Sequence, residues 1–264
     1  MKSLFNKHRK ILIGVVHLRP LPGSPGYAGD WAGNVRAAVA DARAYEQGGA
    51  HAVFFEYFGD VPFTRGRVGP ETIAAMAVAG QAVREAIRLP IGFNVLRNDA
   101  LAALALCAAC GGAFIRVNIH TGSMLTDQGL IEGNAFETVR YRKQICPEAE
   151  IFADVHVKHA VPLGNWTLEE SARDTQERGL ADALIISGVG TGMAAEIEDV
   201  RRVRIACPTA RLLLGSGVTL ENAGELLEIA DGLIVGSSLK RGGHLHNPVD
   251  PKRVAKLAAR VKIG

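Results

Sequence analysis

The sequence predicts a single (β/α)8 barrel of eight parallel strands, one domain spanning residues 1–264. Three observations point there. Short runs of apolar and β-branched residues recur eight times, each followed by a helical stretch. Such strict alternation calls for parallel strands joined by crossover helices. No strand is left over, which favours closure over the alternative, an open doubly wound sheet. The length also suits one barrel, and no linker, tandem repeat or low-complexity stretch divides it.

The predicted strands are 11–17 (ILIGVVH), 52–57 (AVFFEY), 91–96 (IGFNVL), 113–119 (AFIRVNI), 151–157 (IFADVHV), 182–187 (DALIIS), 211–217 (RLLLGSG) and 231–237 (DGLIVGS). The predicted helices are 34–48, 70–88, 98–110, 134–146, 168–178, 194–206, 219–229 and 250–262. Boundary chemistry agrees. QGGA, CGGA and ERGLA place glycine at helix ends just before the second, fourth and sixth strands. Thr219 with Asn222 opens the seventh helix, and Asp250 followed by Pro251 opens the eighth as cap and first residue. Two long segments, 18–33 and 120–133, follow strand C-termini, where this fold carries its active site and where long loops act as lids.

Hydrophobic residues make up 48% and charged residues 22%, ordinary for a globular chain with a sizeable core. The 30 basic and 27 acidic residues give a net charge of +3, too balanced for a nucleic-acid partner. The basic run Lys7, His8, Arg9, Lys10 reads as a solvated tail. No signal peptide is evident, and no stretch approaches the roughly 20 apolar residues that span a bilayer. The expectation is a cytoplasmic protein without a transmembrane segment, with peripheral membrane association left open. No amphipathic basic helix or exposed apolar run stands out. Cys107 and Cys110 sit inside an alanine-rich helix and read as small buried residues, not as a redox pair. Cys146 and Cys207 each precede a proline, and nothing suggests disulfides.

Outer faces of barrel strands pack on helices and must be apolar. The fifth strand separates into Ile151, Ala153, Val155 and Val157 against Phe152, Asp154, His156 and Lys158. The fourth places Phe114, Arg116, Asn118 and His120 opposite its apolar face. Both polar rows therefore face inward at the upper end of the barrel. His17, Glu56, Asn94 and Ser187 end other strands at the same level. Asp154, His156, Lys158, Glu56 and Arg116 are the catalytic candidates. His17, Asn94, Asn118, Asp127 and Ser187 are the substrate-binding candidates. A structural network is the competing explanation, with Glu56 paired to Arg116 and Asp154 to Lys158. No cofactor is required by any motif. A divalent metal at Asp154 and His156 stays open, although no ligand spacing marks it. Lys158 could act as a Schiff-base nucleophile or as a charge facing an oxyanion.

Three strands run into glycine-rich turns: SGVGTG, GSGVT and GSSLK. Glycines let backbone N–H groups approach an anion, and the loops after strands seven and eight are the usual phosphate site of this fold. The phosphate-binding candidates are Gly188, Gly190, Gly215, Ser216, Gly217, Gly236, Ser237 and Ser238. Lys240 could add a charge there or lie in solvent.

The stretches HLRPLPGSPGY (17–27), FGDVPF (58–63), NVLRNDA (94–100), FIRVN (114–118), TDQGLIEG (126–133), IFADVHVKHAVPL (151–163), GSGVT and NPVD (247–250) resemble the BtpA/SgcQ family nearly end to end. That resemblance implies a phosphate-binding type of (β/α)8 barrel. It implies two kinds of function, because some members are called photosystem I or membrane-complex biogenesis factors and others nucleosidases or sugar-related enzymes. Tyr57 departs from the asparagine the resemblance leads one to expect after Glu56. The favoured expectation is an enzyme acting on a small phosphorylated metabolite, a sugar phosphate or nucleotide-derived pentose phosphate, by hydrolase, nucleosidase, lyase or isomerase chemistry. The alternative is a non-catalytic assembly factor for a membrane complex, with a ligand-binding sensor as a weaker third reading. Self-association through helices is also expected.

Overall fold

A computed structural model of the chain describes residues 3–6, 8–188 and 195–263. The described strands are β1 (Ile11–His17), β2 (Ala52–Glu56), β3 (Ile91–Asn94), β4 (Phe114–Val117), β5 (Ser123–Thr126), β6 (Gly129–Glu132), β7 (Glu150–Val155), β8 (Ala160–Pro162), β9 (Ala183–Ser187), β10 (Leu212–Gly215) and β11 (Gly232–Val235). Eight of them close a parallel barrel in the order β1-β2-β3-β4-β7-β9-β10-β11, with β11 returning to β1. The helices between them are α1 (Trp31–Gln47), α2 (Pro70–Ala86), α3 (Ala100–Cys110), α4 (Ala135–Ile145), α5 (Leu168–Arg173), α6 (Ile197–Ala206), α7 (Ala223–Ile229) and α8 (Pro251–Ile263). The predicted (β/α)8 barrel is the observed fold.

The ends of α3 and α8 sit where the sequence places them, whereas α7 begins only at Ala223. The Asp250 carboxylate accepts from the Lys252 backbone N–H, and α8 starts at Pro251. Gly111 closes α3 in a left-handed conformation, φ 65°. The four cysteines are free, and Cys107, Cys110 and Cys207 are buried.

Two apolar layers result. An outer one lies between strands and helices. An inner one fills the lower barrel with Phe54, Phe114 and Phe152, and Phe5 closes it from below. Phe114 and Phe152 stack at 4.8 Å, and Phe54 meets Phe114 edge-on at 6.3 Å. The seam between β1 and β11 is held from outside. The Tyr45 hydroxyl of α1 reaches the carbonyls of Val15 and Val235, at 3.0 and 3.4 Å. Its ring lies over Gly14, where a Cβ would come within 2.4 Å of it. Only glycine fits that crossing.

One segment differs from the expected lid loop. Residues 123–132 form the hairpin β5–β6, and β8 adds to β5 as a third antiparallel strand. Met124 and Ile131 face inward with Ile119 and Val157. Leu125, Leu130 and Val161 stand on the other face and are exposed, with Leu163 beside them. An exposed apolar surface therefore exists. The sequence hides it because each strand contributes only one or two of its residues.

Candidate functional site

Polar side chains replace the aromatic layer two residues further along the same strands. Glu56 follows Phe54, Arg116 follows Phe114 and Asp154 follows Phe152. Arg116 sits between the two carboxylates. Its Nε and Nη2 donate to Asp154 at 3.1 Å each, and its Nη1 donates to Glu56 at 3.5 Å. All three are buried. Arg116 is held above its usual value because two neighbouring carboxylates outweigh the opposing effect of burial. Asn118 donates to Asp154 at 2.8 Å, and Asn94 donates to Asn118 at 2.9 Å. The expected Glu56–Arg116 pair is present. The expected Asp154–Lys158 pair is replaced by Asp154–Arg116.

The Asp154 side chain is 0% exposed. With its oxygens taken by Arg116 and Asn118, it orients Arg116 and does not reach the cavity above. Glu56 and Arg116 do reach it. They line a cavity of about 340 Å³ together with Lys158, His17 and Phe58 on one side and the turns 215–219 and 236–238 on the other. Of the glycine-rich candidates, Gly215, Ser216, Gly217, Gly236, Ser237 and Ser238 all line this wall. Gly188 is buried just past β9. Gly190 lies outside the described residues.

Ser216 and Gly217 are both left-handed, φ 65° and 60°. A serine there is uncommon, and the two residues make a tight turn at the end of β10. A Cβ on Gly236 would come within 2.5 Å of the His17 ring, so this glycine makes room for the histidine. Burial pushes His17 down to about 3, aided by Lys240 and Lys158, so the ring is neutral. The Ser238 hydroxyl donates to the Val218 carbonyl at 2.7 Å and ties the two turns together. Arg253 of α8 donates to the Ser238 carbonyl at 2.8 Å and also lines the cavity. Lys240 takes neither expected position. It is buried and paired with Asp41 at 3.3 Å.

His156 leaves the inward row. β7 ends at Val155, and His156 adopts a left-handed φ of 50°, which breaks strand alternation. Its ring meets the Ser171 hydroxyl at 2.9 Å and lines a separate cavity with Ser187, Asp199 and Arg202. Among the described residues the buried Ser187 hydroxyl has no partner. Asp154 and His156 thus have different partners on different sides of the strand. Among the described residues, no three of His, Cys, Asp or Glu gather as metal ligands would.

Lys158 borders all three of these spaces, including a second cavity of about 280 Å³ beside the first. Burial draws its ammonium below the usual lysine value, and Glu56 opposes that shift. Among the described residues it has no ion-pair partner. The second cavity takes Asp127 from the tip of the β5–β6 hairpin. It also holds Arg97, Phe63 and His159. Sequence periodicity misses Arg97 because it follows the end of β3, and it misses His159 because the turn after β7 inverts the expected face. Arg253 reads as an ordinary residue of an amphipathic helix and carries no signal.

The family model of the BtpA family matches residues 8–263. The chain belongs to the BtpA family. It is 44% identical to the photosystem I biogenesis protein BtpA of Synechocystis sp. (strain ATCC 27184 / PCC 6803 / Kazusa), over 95% of this chain and 87% of that one. It is 36% identical to the sgc region protein SgcQ of Escherichia coli (strain K12), over 96% and 94% of the two chains. Among solved structures it resembles (S)-3-O-geranylgeranylglyceryl phosphate synthase from Thermoplasma acidophilum in complex with substrate sn-glycerol-1-phosphate, with a TM-score of 0.63 at 14% identity over 100% of both chains. Thiamine phosphate pyrophosphorylase from Pyrococcus furiosus gives 0.61 at 16% identity, over 99% and 98%. At these identities the structural likeness is one of fold. No helix among the described residues is long and apolar enough to cross a membrane.

Proposed function

We propose that this BtpA-family barrel is an enzyme acting on a small phosphorylated metabolite, a sugar phosphate or a nucleotide-derived pentose phosphate. The observation that carries this reading is a single cavity with two unlike walls: backbone turns at 215–217 and 236–238, and the charged side chains Glu56, Arg116 and Lys158. The turns seat the phosphate with Arg253 supplying charge, which leaves the reacting carbon over the charged wall. The solved barrel that holds sn-glycerol-1-phosphate is a precedent for such a ligand on this fold.

Lys158 is the group suited to take a proton or to add to a substrate carbonyl, because burial favours its neutral amine. Arg116 stabilises negative charge on a substrate oxygen. Glu56 is the one carboxylate among the described residues lining this cavity. Glycoside hydrolysis by two facing carboxylates, as a nucleosidase would use, is therefore less well supported than lyase or isomerase chemistry.

Thermal unfolding with inorganic phosphate, ribose 5-phosphate or a nucleotide tests the reading. A ligand at a hundredfold its Kd stabilises by about 2.7 kcal/mol, a rise of several degrees in Tm. Arg253→Met should remove most of that rise, whereas Lys158→Met should keep the rise and lose turnover. No shift with any phosphorylated compound would sink the proposal. Borohydride reduction in the presence of a sugar phosphate separates an imine at Lys158, which adds mass, from simple proton transfer.

A second reading has one observation behind it. The exposed face of the small sheet, Leu125, Leu130 and Val161, suits an assembly factor, as the name of the Synechocystis relative suggests. Absence of ligand binding together with loss of complex assembly in Leu125→Asp would favour it.

A further inference from the structure

The second cavity has features that phosphate binding in the first does not use. Arg97 lines it and is 5% exposed. Its Nη2 donates to the Lys158 carbonyl at 2.7 Å, but its buried Nε–H has no acceptor among the described residues. Among the described residues no carboxylate lies within ion-pair distance of it. Arg116, in contrast, is matched by Glu56 and Asp154. Asp127, the carboxylate across the cavity, accepts from Gln128 at 2.5 Å. A buried guanidinium is expensive, and Asp127 offsets only part of the cost of burying Arg97. Lys158 borders the same space.

We propose that the cavity headed by Arg97 is a second oxyanion subsite, so that the substrate carries an acidic group, carboxylate or second phosphate, at the end opposite its cradled phosphate. The inference rests on the phosphate reading of the first cavity and names the substrate class within it. Glu56, Phe58, Arg116 and Lys158 line both cavities, so the two spaces share one wall. A ligand spanning them passes its reacting carbons over Glu56 and Lys158. Arg97 then does two things at once. Its Nη2 fixes the turn that carries Lys158, and its free edge receives the acid. Phe63 and Leu96 complete the pocket and keep water from the pair.

Isothermal titration with matched ligands tests this. Single-headed probes are glycerol 3-phosphate, sorbitol 6-phosphate and ribulose 5-phosphate. Their double-headed partners are 3-phosphoglycerate, 6-phosphogluconate and ribulose 1,5-bisphosphate. At least one double-headed ligand should bind about ten- to a hundredfold more tightly than its partner, as expected for a charge-assisted hydrogen bond in a buried site. Which pair shows the gain tells a carboxylate from a second phosphate. Arg97→Gln should erase the gain while leaving affinity for the single-headed probes unchanged. Arg97→Lys, which keeps the charge and loses the fork, should retain part of it and guards against misfolding of the first variant. Equal affinity within every pair, or a gain that survives Arg97→Gln, overturns the proposal and leaves the phosphate cradle standing. Absence of binding by all six probes overturns both.

Discussion

Two successive layers of the barrel interior come from the same three strands and differ in every physical respect. Phe54, Phe114 and Phe152 form the lower layer, and Glu56, Arg116 and Asp154 form the layer above. The lower one is held by area and stacking. The upper one is held by charge pairing in a space the lower one keeps dry, and the Arg116 guanidinium lies 5.8 Å from the Phe54 ring centre. The contrast teaches how a barrel prepares a reactive mouth. An aromatic floor excludes water from below, so each charge above it acts strongly and must be matched.

The largest effect should come from breaking the upper layer. Arg116→Met leaves two buried carboxylates without their counter-charge and should lower stability by about 3–5 kcal/mol in urea unfolding. A loss below about 1 kcal/mol would mean that the carboxylates are better solvated than their burial indicates. Acidification comes next and compares the rim with the base of the barrel. His17 at the rim is held down to about 3, and His51 at the base to about 4, each chiefly by burial. Both stay neutral in the folded state where the unfolded chain is already protonated, so the unfolded state binds more protons. Stability should therefore fall as pH drops from about 6.5 toward 4, by up to about 1.4 kcal/mol per pH unit for His17 and by less for the half-buried His51, which solvent screens. His51→Gln should flatten that slope, and an unchanged slope would remove His51 from the account. The smallest effect belongs to the floor. Phe152→Leu should lose about 1.5 kcal/mol and leave phosphate-ligand affinity unchanged. A large loss of affinity would show that the floor also shapes the site.

The fold was legible because each barrel strand must bury an apolar face, and the Phe-then-charge pattern of β2, β4 and β7 carries that constraint openly. Arg116 and Asp154 could be placed inward by alternation alone. Their pairing could not, because one arginine between two acids looks the same in sequence as two separate pairs. Alternation stops being informative where a strand stops. Past Val155 the left-handed turns at His156 and His159 reverse the expected faces, and nothing local in VKHAV announces them. Arg97 was hidden for the same reason. The hairpin β5–β6 reads as a loop in sequence because its strands are only four residues each. Six of the eight predicted phosphate contacts line the cavity, because glycine at a strand C-terminus is a backbone signal that needs no partner to be read.

The Tyr45 crossing has a consequence for biosynthesis. Its two acceptors belong to β1 and β11, so one is available as soon as the first repeat emerges and the other only when nearly the whole chain has been made. Until β11 exists, β1 has no strand to pair with on that side. Contacts that join distant parts of a chain form slowly and leave such edges open to wrong partners in the meantime. In the closed barrel the aromatic ring lodged over Gly14 sits beside that edge, and its hydroxyl spans the strands where the first and last repeats meet.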